Sequence, residues 1–186
     1  MFAAIAAAVL AVTTPSPVMP VDASGLFGGP WVSIESPPNP MNAETRGALL
    51  VVRVYHHGDP AFYPVNGTAE GVVDGKRQSV ALEFGGTSTP GMYALKFKKP
   101  ADGNWVLLIT VGKSRRDEGS VTAIVTLDRD GQVSSARVPT RSDGQFSFPA
   151  PVLDAEVASV LKQMGIERNS SIRRSVHRFN SRIQTS

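Results

Sequence analysis

The stretch RVYHHGDPAFY, from Arg53 to Tyr63, holds two of the chain's three histidines, side by side at the end of an apolar run. Imidazole nitrogens ligate transition metals such as copper, joined by Met sulfur, a carboxylate or another His. His56 and His57 are therefore the first candidate ligands, with Met92 as a third and Met41, Asp59 and the distant His177 as alternatives. Neighbouring residues of a strand point to opposite faces. His56 then continues the side of Ala48, Leu50, Val52 and Val54, while His57 follows Arg53 and Tyr55. One ion takes both imidazoles only if the chain leaves extended geometry, which Gly58-Asp59-Pro60 permits. The competing reading is a polar strand exit carrying an ordinary hydrogen-bonded pair.

Other chemistry has weaker support. Asp128, Asp130 and Gly131 in LDRDGQV have the look of a calcium-loop opening, but Ser and Ala occupy the region where further ligands belong. The segment is expected to be a plain hairpin turn. Gly112-Lys113-Ser114 lacks the glycine five positions earlier that a phosphate loop needs, where Leu107 stands. No Gly-x-Ser-x-Gly elbow exists. The absence of cysteine excludes disulfides, thiolate ligands and a Cys nucleophile. No catalytic residue is assigned and no enzyme is expected. The charged loop from Lys113 to Gly119 reads as a solvated turn or a contact loop.

The elements that must position these residues are bounded by composition. With 186 residues the chain fits one domain with appendages. Seventeen Gly and fourteen Pro between short apolar runs favour β-structure. From Gly165 to Ser186 there are five Arg against one Glu, while the rest of the chain carries fourteen basic and fifteen acidic groups. The basic character belongs to the tail, so the main domain gives no electrostatic support for binding nucleic acid.

At the start, Phe2 to Val12 is an uncharged apolar run, too short to span a bilayer and of the length of a signal-peptide core. Val21-Asp22-Ala23 offers a small-residue cleavage site, although no Lys or Arg precedes the run. Residues 1–23 are thus expected to direct the protein to the periplasm or the medium. At the other end, 151–186 should hold a helix over 153–165, with Val157, Val160, Leu161 and Met164 on one face and Asp154 in its first turn. Further on, Ile172, Val176, Phe179 and Ile183 recur on one side, with Arg173, Arg174, Arg178 and Arg182 between them. Such a segment suits contact with an anionic membrane surface or an acidic partner.

The middle, 24–150, reads as strands. They are Trp31 to Glu35, Gly47 to Tyr55, Thr68 to Val73, Gln78 to Phe84, Tyr93 to Phe97, Trp105 to Val111, Val121 to Leu127 and Gln132 to Val138. Asp74-Gly75 signals a tight hairpin. Val80, Leu82 and Phe84 should face one way, and Ala94, Lys96 and Lys98, with Met92, should lie on a wet face. The expected fold is all-β: an Ig-like antiparallel β-sandwich of seven to eight strands, with a short C-terminal helix or tail.

Gly91, Tyr93, Leu95, Phe97, Pro100, Gly103, Trp105, Leu107 and Ile109 form the pattern G-x-Y-x-L-x-F…P-x-x-G-x-W-x-L-x-I. Over roughly Trp31 to Val138 the chain resembles the FixH-like and YtkA-like exported domains of bacteria. The resemblance implies a small periplasmic or membrane-associated β-sandwich, in a group some of whose members are linked to copper handling or oxidase assembly. The expectation is a non-catalytic envelope protein with a binding or accessory role and a protein partner. The alternatives are a copper-binding accessory domain using His56 or His57, and a membrane-surface protein docked through its basic C-terminal segment.

Overall fold

Period-two alternation of apolar side chains, broken by Gly- and Asp-containing turns, folds here into two antiparallel sheets around one core. A computed structural model describes residues 29–116, 119–144 and 146–165. The apolar run from Phe2, its cleavage site, His177 and the basic segment from Ile172 to Ile183 lie outside the described residues. Among those described, no helix is long and apolar enough to cross a membrane.

The first sheet holds β1 (Trp31–Glu35), β2 (Leu50–His56), β3 (Asp59–Pro60), β6 (Phe84–Gly86) and β7 (Met92–Leu95). Its order is β1-β2-β7-β6, with β3 paired to the end of β2. The second sheet runs β10 (Val133–Arg137), β9 (Val121–Leu127), β8 (Asn104–Val111), β4 (Val65–Val73), β5 (Lys76–Ala81). A separate ribbon pairs β11 (Thr140–Asp143) with β12 (Phe146–Pro149). Seven of the eight expected strands are present, the eighth is divided between the two sheets, and the sandwich and its C-terminal helix are those expected. The additions β3, β6, β11 and β12 are two to four residues long, too short to leave a periodic signal.

Leu50, Val52, Val54 and Leu95 of the first sheet meet Ala69, Trp105, Leu107, Ile109, Val111, Ala123, Val125 and Leu127 of the second. Trp105 is the largest of the fully buried side chains and is 1% exposed. Its indole N–H donates to the Ala101 carbonyl at 3.0 Å, so burial leaves no unpaired donor. Gly71 stands directly opposite Trp105 across the β4–β8 pair. A Cβ added there would lie 2.6 Å from the indole, so the ring occupies the space that glycine leaves.

Two expectations change. Gln78 to Phe84 is not one strand: the chain leaves the second sheet after Ala81 and enters the first at Phe84. Leu82 and Phe84 still point at the common core, but from a crossing between layers. The face of β7 expected to be wet is also partly dry, since Met92 is 4% and Ala94 6% exposed. Their cross-strand partners on β2 are Arg53 and Val51, and Val51 is buried too. Alternation reports a wet face only where nothing covers the outside of the sheet.

The second sheet is covered on its outside by a helix, α1, described over residues 154–165. Val152, Val157 and Leu161 bury Val106, Leu108 and Ile124, with Val160 alongside. The central strands β8 and β9 are thus apolar on both faces, which is why they read as nearly continuous hydrophobic runs.

Candidate functional site

The His pair sits at a hairpin tip. In β2–β3, His56 pairs with Asp59, leaving His57 and Gly58 as a two-residue loop. Both loop residues have positive φ, 54° and 93°, as a type I′ turn requires. Asp74 and Gly75, at 49° and 75°, build the same turn between β4 and β5. His tolerates this left-handed conformation better than most residues. The chain therefore stops being extended at His57, and alternation no longer separates the two rings. Their centroids lie 4.2 Å apart, edge to face at 63°, and His56 also lies 5.9 Å from Tyr63. Tyr93 ties this segment down by donating to the Tyr63 carbonyl at 3.0 Å.

The structure brings His56 and His57 together but does not bring Met92 to them. Met92 pairs with Arg53, and directly opposed residues share a face, so Met92 lies on the outer side of the sheet. His56 follows Val54 toward the core side, beside Tyr63. Asp59 is the register partner of His56, and Met41 is exposed on the loop before β2. Among the described residues there is no group of three or more His, Asp or Glu that could hold a metal ion.

The same end of the sheet carries a feature that sequence reading missed. Trp31 stands opposite Tyr55, and Tyr55 stands opposite Pro60. The three share the outer face of adjacent strands. Trp31 is 72% exposed, Pro60 is exposed and Tyr55 is half-buried. Phe62, two residues beyond Pro60, is 79% exposed. The signal was present in WVSIE, where Val32 and Ile34 take the core side and parity puts Trp31 outside with Ser33 and Glu35.

Behind this aromatic row is an ordered polar one. Arg53 donates from Nε and Nη2 to Glu35 Oε2 at 3.1 and 2.9 Å, and the Asn39 amide donates to Glu35 Oε1 at 2.9 Å. The Arg53 hydrogen bonds, then that of Asn39, hold the Glu35 carboxyl below its ordinary range against the opposing effect of desolvation.

A second cluster fastens α1. Asp154, in its first turn, accepts from Arg115 Nη2 at 2.5 Å and Arg116 Nη2 at 2.7 Å, with Arg77 Nη2 at 4.0 Å. Arg77 also bonds Glu70, a nearly buried carboxylate that accepts from Thr68 and Ser79 as well. Two arginines of the loop after β8 thus reach across to α1, which favours the contact-loop reading. Hydrogen bonding and the charge of Arg115, then Arg116, keep the Asp154 carboxyl below its usual range. A carboxyl whose folded pKa is depressed contributes stability that is complete above its unfolded value, roughly 4, and lost as pH falls through the folded value. Acidification below about pH 4 should loosen α1, read as loss of helical circular dichroism. In Asp154→Asn that acid limb should shrink.

A polar cleft of about 660 Å³ lies between β9, β10 and the end of α1. Its hydroxyls satisfy one another, Thr126 bonding Ser134 and Ser135 at 2.8 and 2.7 Å, and Arg137 there binds Glu156. Asp128 closes its own turn by accepting from the Gln132 amide at 2.8 Å, as a plain hairpin does.

The chain matches no protein-family model, no curated protein and no solved structure. The likeness to FixH-like and YtkA-like domains therefore rests on the strand motifs themselves.

Proposed function

We propose that this protein is an exported, non-catalytic β-sandwich that binds a component of the bacterial cell envelope through the outer face of β1, β2 and β3. One observation carries the reading: Trp31 and Phe62 stand largely in water at the same end of one sheet. Single exposed apolar residues are ordinary, but a row of large rings rimmed by polar groups marks contact surfaces. Exposed Trp31 and half-buried Tyr55, continued by Pro60, form such an apolar row, and Arg53 and Glu35 supply the rim. Export rests on the signal-like run from Phe2 to Val12.

The test is sedimentation of the purified protein with a washed bacterial envelope fraction. The wild type should pellet with it, and the Trp31→Ala, Phe62→Ala double variant should bind about tenfold less well, as loss of aromatic anchors at a contact does. Equal sedimentation of the two proteins, both folded, would overturn the reading.

The convergence of the two imidazoles at 4.2 Å favours a second reading, a copper-binding accessory domain using His56 or His57. Copper(II) titration should then show one site, lost in His56→Ala and His57→Ala. Binding weaker than about micromolar, some 8 kcal/mol, would end that reading.

A further inference from the structure

The aromatic row also points to a class of ligand, an inference that rests on this face being the contact surface. Trp31, Tyr55 and Pro60 occupy matching positions on three neighbouring strands. Strands lie about 4.8 Å apart, so the two aromatic rings stand one spacing apart and the Pro60 ring, apolar but not aromatic, continues the row by one more, together comparable in length with two linked sugar rings. Aromatic faces are electron-rich, and the axial C–H groups of a β-linked pyranose form an apolar, weakly positive face. The two surfaces stack well, whereas the equatorial hydroxyls around the ring need hydrogen-bonding neighbours. The adjoining row supplies them: Ser33 stands directly opposite Arg53.

Charge narrows the choice. Among the described residues, Arg53 and Glu35 are the charged groups that β1, β2 and β3 place on this face, and they are paired with each other. A phosphate backbone or an anionic lipid surface finds no uncompensated cation there, although both also favour aromatic contacts. A ligand rich in hydrogen-bonding groups and without net charge is matched by a neutral face. We propose that this face binds a neutral β-linked polysaccharide, with Trp31 and Tyr55 stacking on sugar rings and Ser33 and Arg53 bonding the hydroxyl rim.

The experiment is depletion of the full-length protein from solution by cellulose and chitin particles, with cellohexaose and chitohexaose titrated in parallel. Trp31 is exposed and Trp105 buried, so stacking should shift tryptophan emission to the blue through Trp31 alone. Trp31→Ala should lose the shift and weaken depletion about tenfold or more, Tyr55→Ala should weaken it less, and Trp31→Phe should retain part of the binding. Unchanged thermal unfolding of Trp31→Ala separates lost stacking from lost folding. The inference is overturned if neither particles nor oligosaccharides bind, or if Trp31→Ala binds as the wild type does. If glycans fail while envelope sedimentation still depends on Trp31, the contact face stands and its occupant is of another class, such as a protein. If neither depends on Trp31, both readings fall.

Discussion

Trp105→Ala should lower the stability of the sandwich by about 3–5 kcal/mol. The indole is fully buried in the core opposite Gly71 of β4, on strands that cannot collapse without breaking their pairing. Gly71→Ala should cost roughly 1–3 kcal/mol for the opposite reason, overpacking, because its methyl would enter the space of the same ring. The two effects should not add. Once the indole is gone, the Gly71→Ala methyl meets no ring and fills part of the cavity, so the double variant should be more stable than the sum predicts. Urea denaturation of the four proteins measures this coupling. Additive losses would show that the Gly71 and Trp105 contacts are energetically independent.

Leu161→Ala should cost about 2–3 kcal/mol, at the low end for a buried leucine, and the loss should fall on α1 before the sheets. Leu161, Val157 and Val152 are the buried apolar contacts of this cover, and Asp154 and Glu156 fix its first turn through Arg115, Arg116 and Arg137. Too short to be stable alone in water, the helix depends on that docking. In the variant, helical circular dichroism should decay at lower urea than the fluorescence of buried Trp105, so the two transitions separate. Dye binding should rise as Val106, Leu108 and Ile124 lose their cover. Coincident transitions in the variant would show that α1 and the sandwich melt as one unit.

How much was legible in advance depended on whether the information was local. Most strands from Trp31 to Val138 could be read because they alternate with period two or run continuously apolar, and end at residues that turn the chain. The Asp74-Gly75 hairpin was readable for a similar reason: its turn type demands residues that accept positive φ at those two positions. His57-Gly58 obeys the same rule, but His is a weaker signal than Asp, and the tight turn was left open. Alternation alone would have separated two imidazoles that the turn brings together.

The failures have a common root, which is that what a residue meets in space is not written in its own strand or loop. Met92 and Ala94 alternate with core residues and should be wet, yet both are buried. The break at Leu82 and Glu83, where the chain changes sheets, leaves the apolar alternation intact because both layers face one core. Arg115 and Arg116 sit in a loop that reads locally as either a solvated turn or a contact loop, and Asp154, some forty residues later, favours the second.

The sequence by itself determined that this is an all-β sandwich closed by a C-terminal helix, because hydrophobic periodicity and turn chemistry act over a few residues. Tertiary structure alone decided which residues meet: His56 with His57, Asp154 with two arginines, and Trp31 beside Tyr55 and Pro60 in an open row. Register and coverage are set by contacts between strands far apart in the chain.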